Sequence, residues 1–147
     1  MKFFVVLICL AILQGCATTE PRAPASMSAY DAIFAAAEAA PAGVPGSFSM
    51  TVRAAGADRW GVYLNSELDY RDRRNLTIAI PGRAVAAFQE NFGEDPRSFF
   101  IGKTVRVDGE ARTVRIDFLC NGQPGGKYYY QTHVCVSAPR SIEVLTP

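Results

Sequence analysis

From Ser47 to Leu145 apolar residues fall again and again at every second position, and one interval exchanges that rhythm for a helical one. Ser47 to Ala54, Trp60 to Asn65 and Asn75 to Ile80 are strand candidates, each alternating or rich in β-branched and aromatic side chains. Ala55-Gly56-Ala57-Asp58 has a turn composition and joins the first two, and the charged stretch Glu67 to Arg74 joins the second to the third. A sheet that starts as a meander is the expectation. In the interval Pro81 to Gly93, Val85, Phe88 and Phe92 fall three and four residues apart, which predicts a short amphipathic helix stopped by Gly93. Gly102 to Glu110 then alternates cleanly, Val114, Ile116 and Phe118 alternate again, and Asp108-Gly109 reads as a tight hairpin between them. Tyr128 to Val136 and Ser141 to Leu145 supply the closing strands.

Ahead of this pattern the chain opens on Lys2, an apolar run from Phe3 to Leu13, and Gln14-Gly15-Cys16. A positive start followed by an apolar core of this length is a signal peptide, because a spanning helix needs about 20 apolar residues. Leu13-Gln14-Gly15-Cys16 resembles the lipobox of bacterial lipoproteins, with an aliphatic residue three before the cysteine and a small one directly before it; Gln14 is the less usual member. The resemblance implies cleavage after Gly15, diacylglycerol on the Cys16 sulfur and acylation of the new amino group. Two or more acyl chains make such an anchor stable where one alone binds marginally. Ala17, standing where an aspartate would signal inner-membrane retention, implies the outer membrane, with the protein facing the periplasm. Residues 16–27 then read as a flexible tether of Thr, Pro, Ala and Ser, and residues 28–147 as a single domain. That domain opens on a capping box, Ser28 to Asp31, and a short helix with Tyr30, Ile33, Phe34 and Ala37 on one face, ended by Pro41, Gly43 and Pro45.

Three strands, a helix, then further strands is the order of an OB-fold. Phe100-Ile101-Gly102-Lys103-Thr104-Val105-Arg106-Val107-Asp108-Gly109 resembles the fourth strand of bacterial OB domains, and Pro139-Arg140-Ser141-Ile142-Glu143-Val144 is similar to their last. Trp60 to Ser66 through Asp69-Tyr70-Arg71-Asp72 resembles exported proteins of this type. The resemblance spans roughly residues 46–146 and implies a mainly-β, Greek-key barrel with one helix between its third and fourth strands. It is nearly silent on activity, since a fold does not fix a function.

Without residues 1–15 the chain keeps 14 acidic side chains against as many basic ones, so it carries no net charge. Nucleic-acid affinity rests on basic side chains that displace counterions, so neutrality argues against a general polyanion binder. Cys9 is lost with the signal peptide and Cys16 is lipidated, which leaves Cys120 and Cys135. In an oxidising compartment such a pair is expected to form a disulfide, worth roughly 3 kcal/mol for a loop of about 15 residues. An alternative puts His133, two residues before Cys135 and on the same strand face, with Cys120 and Cys135 as a soft-metal site, although a fourth ligand is not evident.

No P-loop, dinucleotide fingerprint, nucleophile elbow or zinc-protease helix occurs, so neither a cofactor nor an enzymatic activity is expected. Glu67, Asp69 and Asp72 read as solvated turn acids before they read as a catalytic pair. The richest candidate ligand surface is Tyr70, Arg71, Arg73 and Arg74, with Trp60 and Tyr63 on the strand before them, where guanidinium groups and aromatic plates would hold an anionic sugar, phosphate or peptide carboxylate. Against this, Asp69 and Asp72 would neutralise the arginines. Tyr128, Tyr129 and Tyr130 form a second aromatic patch, the middle ring facing opposite to its neighbours. The expectation that follows is a non-catalytic binding or assembly module of the cell envelope with a protein or glycan partner. An OB-type site for oligosaccharide or single-stranded nucleic acid and a soft-metal protein are the alternatives.

Overall fold

The computed structural model describes residues 25–146, so the expected signal peptide, the expected lipobox with Cys16 and most of the expected tether lie outside the described residues. Over this range the protein is mainly β: eight strands in one mixed sheet, accompanied by three helices. In chain order these are β1 (Met27–Ser28), α1 (Ala29–Ala39), β2 (Val44–Thr51), β3 (Ala54–Asp58), β4 (Gly61–Asn65), β5 (Leu76–Pro81), α2 (Gly82–Phe92), α3 (Pro96–Phe100), β6 (Thr104–Cys120), β7 (Gln123–Cys135) and β8 (Ile142–Thr146). Neighbours in the sheet run β1-β2-β6-β7-β5-β4-β3, and β8 pairs with the first part of β6. β5 runs parallel to β7 and β1 parallel to β2, whereas the remaining pairs are antiparallel.

Of the meander expected at the start, the second and third strands pair as β4-β5, but the expected first strand, Ser47 to Ala54, pairs with β6, and β3 takes its place beside β4. Between β2 and β3 the chain changes partners within two residues. Val52 still exchanges bonds with the loop before β6, its N–H donating to the Lys103 carbonyl at 2.9 Å while Gly102 N–H donates to the Val52 carbonyl at 2.8 Å. Arg53 N–H already donates to the Asn65 carbonyl of β4 at 2.8 Å. Ala54 to Asp58, expected largely as a turn, is therefore strand, and the turn moves to Arg59-Trp60.

A second correction concerns the hairpin expected at Asp108-Gly109. β6 runs through it without interruption, and the chain reverses at Asn121 (φ 50°) and Gly122 (φ 78°), the two left-handed residues that a tight hairpin turn needs. Gly109 answers to packing: a Cβ there would press on the Val134 side chain from the neighbouring strand. Gly93, by contrast, does end α2 as expected, in the left-handed conformation with its N–H on the Gln89 carbonyl.

Helix α1 starts at the expected cap, with Ser28 Oγ accepting from Asp31 N–H at 3.2 Å, but it turns a different face inward. Ala32 and Ala36 are fully buried while Tyr30 and Phe34 stay 68% and 58% exposed. Methyl groups allow the helix backbone close to the sheet, close enough for Thr113 Oγ1 to donate to the Ala36 carbonyl at 3.1 Å. Two helices, not one, connect β5 to β6. α2 and α3 share an aromatic cluster in which Phe92 stacks on Phe99 at 4.7 Å and meets Phe100 edge-on at 5.0 Å. Phe48, Phe88 and Phe100 anchor the core with Leu64, Leu76, Ile78 and Val107, all fully buried.

Candidate binding cleft

In β4 and β5 the core takes Val62, Leu64, Leu76, Ile78 and Ile80, so strand alternation sends Tyr63, Asn65, Thr77 and Ala79 to the outer face. Outward residues of a solvated sheet are normally exposed. Here Asn65 is 6% and Thr77 2% exposed, because side chains from three other segments close over them. β3 contributes Gly56, Ala57 and Asp58, β7 contributes Tyr129, Gln131 and His133, and the loop after β4 contributes Tyr70. The result is a cleft of about 370 Å³ with Asn65 and Thr77 in its floor and Tyr63, Tyr70, Tyr129, Ile116 and His133 around it.

Register fixes the floor. Asn65 lies opposite Thr77, and Thr77 opposite His133, so these three side chains form one row across β4, β5 and β7. Strands about 4.8 Å apart give the row a span of about 10 Å. Asn75, 2% exposed, ties the floor to the loop: its Nδ2 donates to Thr77 Oγ1 at 2.9 Å, to Asn65 Oδ1 at 3.1 Å and to the Tyr70 carbonyl at 3.3 Å, while its Oδ1 accepts from Glu67 N–H at 3.1 Å. Thr77 Oγ1 donates in turn to Asn65 Oδ1 at 2.9 Å.

Gln131 holds the same loop from β7. Its Nε2 donates to the Tyr70 carbonyl at 2.7 Å, which fixes the amide orientation and leaves Oε1 as an acceptor 2.8 Å from His133 Nε2. His133 must therefore carry its proton on Nε2. Burial pushes the imidazole pKa down to about 4, so the ring is neutral at pH 7. Tyr63 stands 6.2 Å from that ring and donates its hydroxyl to Asp58 at 3.2 Å; burial, then the Asp58 charge, raises its pKa. Asp58 also accepts from the Trp60 and Gly61 N–H groups at 2.7 and 3.2 Å. Burial and the nearby Tyr70 raise the pKa of Tyr129, with Arg71 pulling the other way.

Of the aromatic and arginine residues singled out in the sequence, the cleft gathers Tyr63 and Tyr70. Arg71 lies over the Tyr70 ring at 4.7 Å, at the rim and outside the lining. Arg73 lines a smaller hollow of about 200 Å³ beside α1, and Arg74 is paired to Asp72 at 2.8 Å, which draws that carboxyl down to about 2. Trp60 projects from the β3–β4 turn, 66% exposed, with Arg59 stacked on it at 4.9 Å. The triple tyrosine divides as alternation requires: Tyr129 enters the cleft, while Tyr128 and Tyr130 pack edge-on at 5.6 Å on the opposite face. Asn65, Thr77 and Gln131 were not singled out, since a polar residue at an outward strand position carries no sign that neighbours will bury it.

The expected disulfide and the alternative metal trio both fail on register. Cys120 faces Gln123 at the first residue of β7 and Cys135 is its last, so the length of a 13-residue strand separates two free, exposed thiols. That is roughly 40 Å, where a disulfide needs Cα atoms about 4.4–6.8 Å apart. His133 and Cys135 share a face, but Cys120 is too distant to join them, and no group of three His, Cys, Asp or Glu side chains among the described residues is placed to hold a metal. No protein-family model matches the chain, and no curated protein shows significant similarity to it.

Proposed function

We propose that the protein is a non-catalytic binding module of the bacterial cell envelope, anchored through lipid on Cys16 to the outer membrane and facing the periplasm, with the Tyr63–Tyr70–Tyr129–His133 cleft as its ligand face. The observation that carries the reading is a preformed concavity of about 370 Å³, aromatic at its walls and hydrogen-bonded across its polar floor, of the kind that small-ligand sites use. The chain runs from β2, the strand next to β1 at one end of the strand order, through Val52-Arg53 directly into β3 at the other end. With β5 parallel to β7 and helices between β5 and β6, this supports an OB-type Greek-key barrel in which β2 and β3 together are the first strand. In that frame the cleft occupies the outer face of the second and third strands, where OB domains carry ligands.

Envelope localisation is tested by fractionation and by the mass of the N-terminal peptide. The expected result is a lipidated peptide beginning at Cys16, and release of Cys16→Ser from the membrane; a Cys16→Ser variant that stays bound refutes the anchor. The ligand face is tested in cells with a photo-crosslinking residue at Tyr70, and at Tyr30 on α1 as the control. Capture of a protein or glycan at position 70 but not at 30 supports the cleft, and equal capture at both removes it.

A further inference from the structure

Among the described residues, Asn65 Nδ2 and His133 Nδ1 make no hydrogen bond to the protein, although both side chains line the cleft. No fully buried side-chain nitrogen or oxygen is left unpaired among those residues, so these two atoms reach solvent, and both side chains line the cleft. Neither is free to change role. Asn65 Oδ1 accepts from Asn75 and Thr77, which turns the Nδ2 donor outward, and the Tyr70–Gln131–His133 relay puts the histidine proton on Nε2, which leaves Nδ1 an acceptor. A fixed donor and a fixed acceptor thus stand at the two ends of one row, with the Tyr63, Tyr70 and Tyr129 rings beside them.

Charge narrows the choice of ligand. No lysine or arginine lines the cleft, and its one ionised side chain is Asp58 at the β3 rim. A phosphate or carboxylate would meet that negative charge, and the cation that acts on Tyr129, Arg71, lies at the rim over the Tyr70 ring, outside the lining. A quaternary ammonium would suit the tyrosines and Asp58 but would leave the Asn65 donor without an acceptor. A sugar hydroxyl both donates and accepts, and the apolar face of a sugar ring stacks on tyrosine.

Resting on the reading of this cleft as the ligand face, we infer that it binds an uncharged glycan: one ring stacks on the tyrosines, and its hydroxyls accept from Asn65 Nδ2 and donate to His133 Nδ1. Phe118 packs at 5.2 Å against the Tyr129 ring and is 46% exposed, so the apolar track continues outward along the β6–β7 hairpin for a further ring.

The test is calorimetry on the protein purified from membranes in detergent. The probes are cellotetraose and N-acetyl-chitotetraose, set against tetragalacturonate, oligo-dT and choline. A neutral tetrasaccharide is expected to bind, with Asn65→Asp and His133→Phe each lowering affinity about tenfold, the cost of one hydrogen bond lost at a desolvated site. Tyr70→Ala, at a 44% exposed position outside the core, weakens binding without touching the fold and carries the test should Asn65→Asp fail to fold. If tetragalacturonate, oligo-dT or choline binds more tightly than the neutral sugars and that binding depends on Tyr70, the uncharged-glycan inference is overturned while the cleft remains the ligand face. If no probe binds in a Tyr70-dependent way, the uncharged-glycan inference is overturned, and the cleft as ligand face then stands or falls with the cross-linking at position 70.

Discussion

Lowering the pH through the range in which histidine normally titrates should destabilise this protein through His133. Its ordinary pKa of 6.5 falls to about 4 in the fold because the ring is buried, and burial is the only cause at work. Charged groups nearby are otherwise engaged: Asp58 is satisfied by Trp60, Gly61 and Tyr63, and Arg112, opposite His133 on β6, is paired to Glu110 at 2.9 Å. The unfolded chain takes up a proton near pH 6.5 and the folded chain does not until about pH 4, so between these values the unfolded state holds one more proton. Stability then rises with pH, by at most about 1.4 kcal/mol per pH unit. Full stability is present above pH 6.5, it is lost as pH falls toward 4, and the loss ends there. A gap of about 2.5 in pKa corresponds to about 3 kcal/mol, a large share of the roughly 5–15 kcal/mol that holds a domain folded.

Urea denaturation at half-unit steps from pH 7 to pH 4 measures this, with His133→Gln as the reference. Glutamine keeps a donor for Gln131 and does not titrate, so subtracting the two curves removes every carboxylate they share. The wild-type midpoint should fall relative to the variant by on the order of 1.5 M urea across the window. Parallel curves would refute the reasoning, because they would mean that the imidazole is as easily protonated in the fold as in water. The window is also distinct from that of the acids. Asp72 and Asp95, lowered chiefly by hydrogen bonds from Arg74 and Arg97, contribute stability that is lost only as pH falls from 3.8 toward their depressed values.

Four further outcomes follow from the same geometry. Asn75→Ala removes the donor to Asn65, Thr77 and Tyr70 in a buried setting and should cost about 2–4 kcal/mol with the loss of several bonds; a stability from urea unfolding within about 0.5 kcal/mol of wild type would show that the floor does not depend on it. Phe88→Ala, at a fully buried site, should cost about 3–5 kcal/mol by the same assay, whereas Phe34→Ala on the exposed face of α1 should stay within about 0.5 kcal/mol. Cys120 and Cys135 should both react with a thiol reagent in the folded protein and gain two alkyl groups by mass, and an unreactive pair would contradict their separation on β7. Glycan affinity should stay level from pH 8 to pH 5 and fall near pH 4 as protonation turns His133 Nδ1 from acceptor to donor; an affinity that declines already at pH 6.5 would place the imidazole in water.

The strands were legible where one face meets the core, because alternation is a direct trace of burial: Val62-Leu64, Leu76-Ile78-Ile80 and Val105-Val107 all point inward as the pattern predicts. Helix α2 was legible for the same reason, with Phe88 inward and Gly93 at its end. Where other forces decide, the pattern misled. In α1 the large apolar residues are at the surface and alanines face the sheet, since packing distance outweighs side-chain hydrophobicity there. Asp108-Gly109 and Asn121-Gly122 are equal as local turn signals, and only the pairing of β6 with β2 along Val44 to Thr51 keeps the first extended. The cleft was half legible. Tyr63 and Tyr70 drew notice as aromatic residues near arginines, but Arg71 is held at the rim, Arg73 lines a separate hollow and Arg74 is paired to Asp72. The floor depends on β5 lying beside β7, a parallel pairing of residues more than fifty positions apart that no local pattern records.

That floor also bears on why the cleft is built as it is. Buried amides and an imidazole on the outer face of a sheet contribute less to stability than aliphatic side chains would in their place, because hydrogen bonds inside the protein largely replace bonds to water. Asn65, Asn75, Thr77, Gln131 and His133 nevertheless form a connected network that also grips the Tyr70 carbonyl twice, through Asn75 Nδ2 and Gln131 Nε2. Such a network fixes rotamers, a tautomer and a loop before any ligand arrives, and this lowers the entropy that binding would otherwise cost. Stability given up at one site while the rest of the molecule follows ordinary packing is the pattern expected where function has set the residues. If the network served folding alone, replacing His133 and Gln131 together by leucines would destabilise the protein and leave every binding property unchanged; the cleft reading requires instead that the double variant keep its stability and lose its ligand.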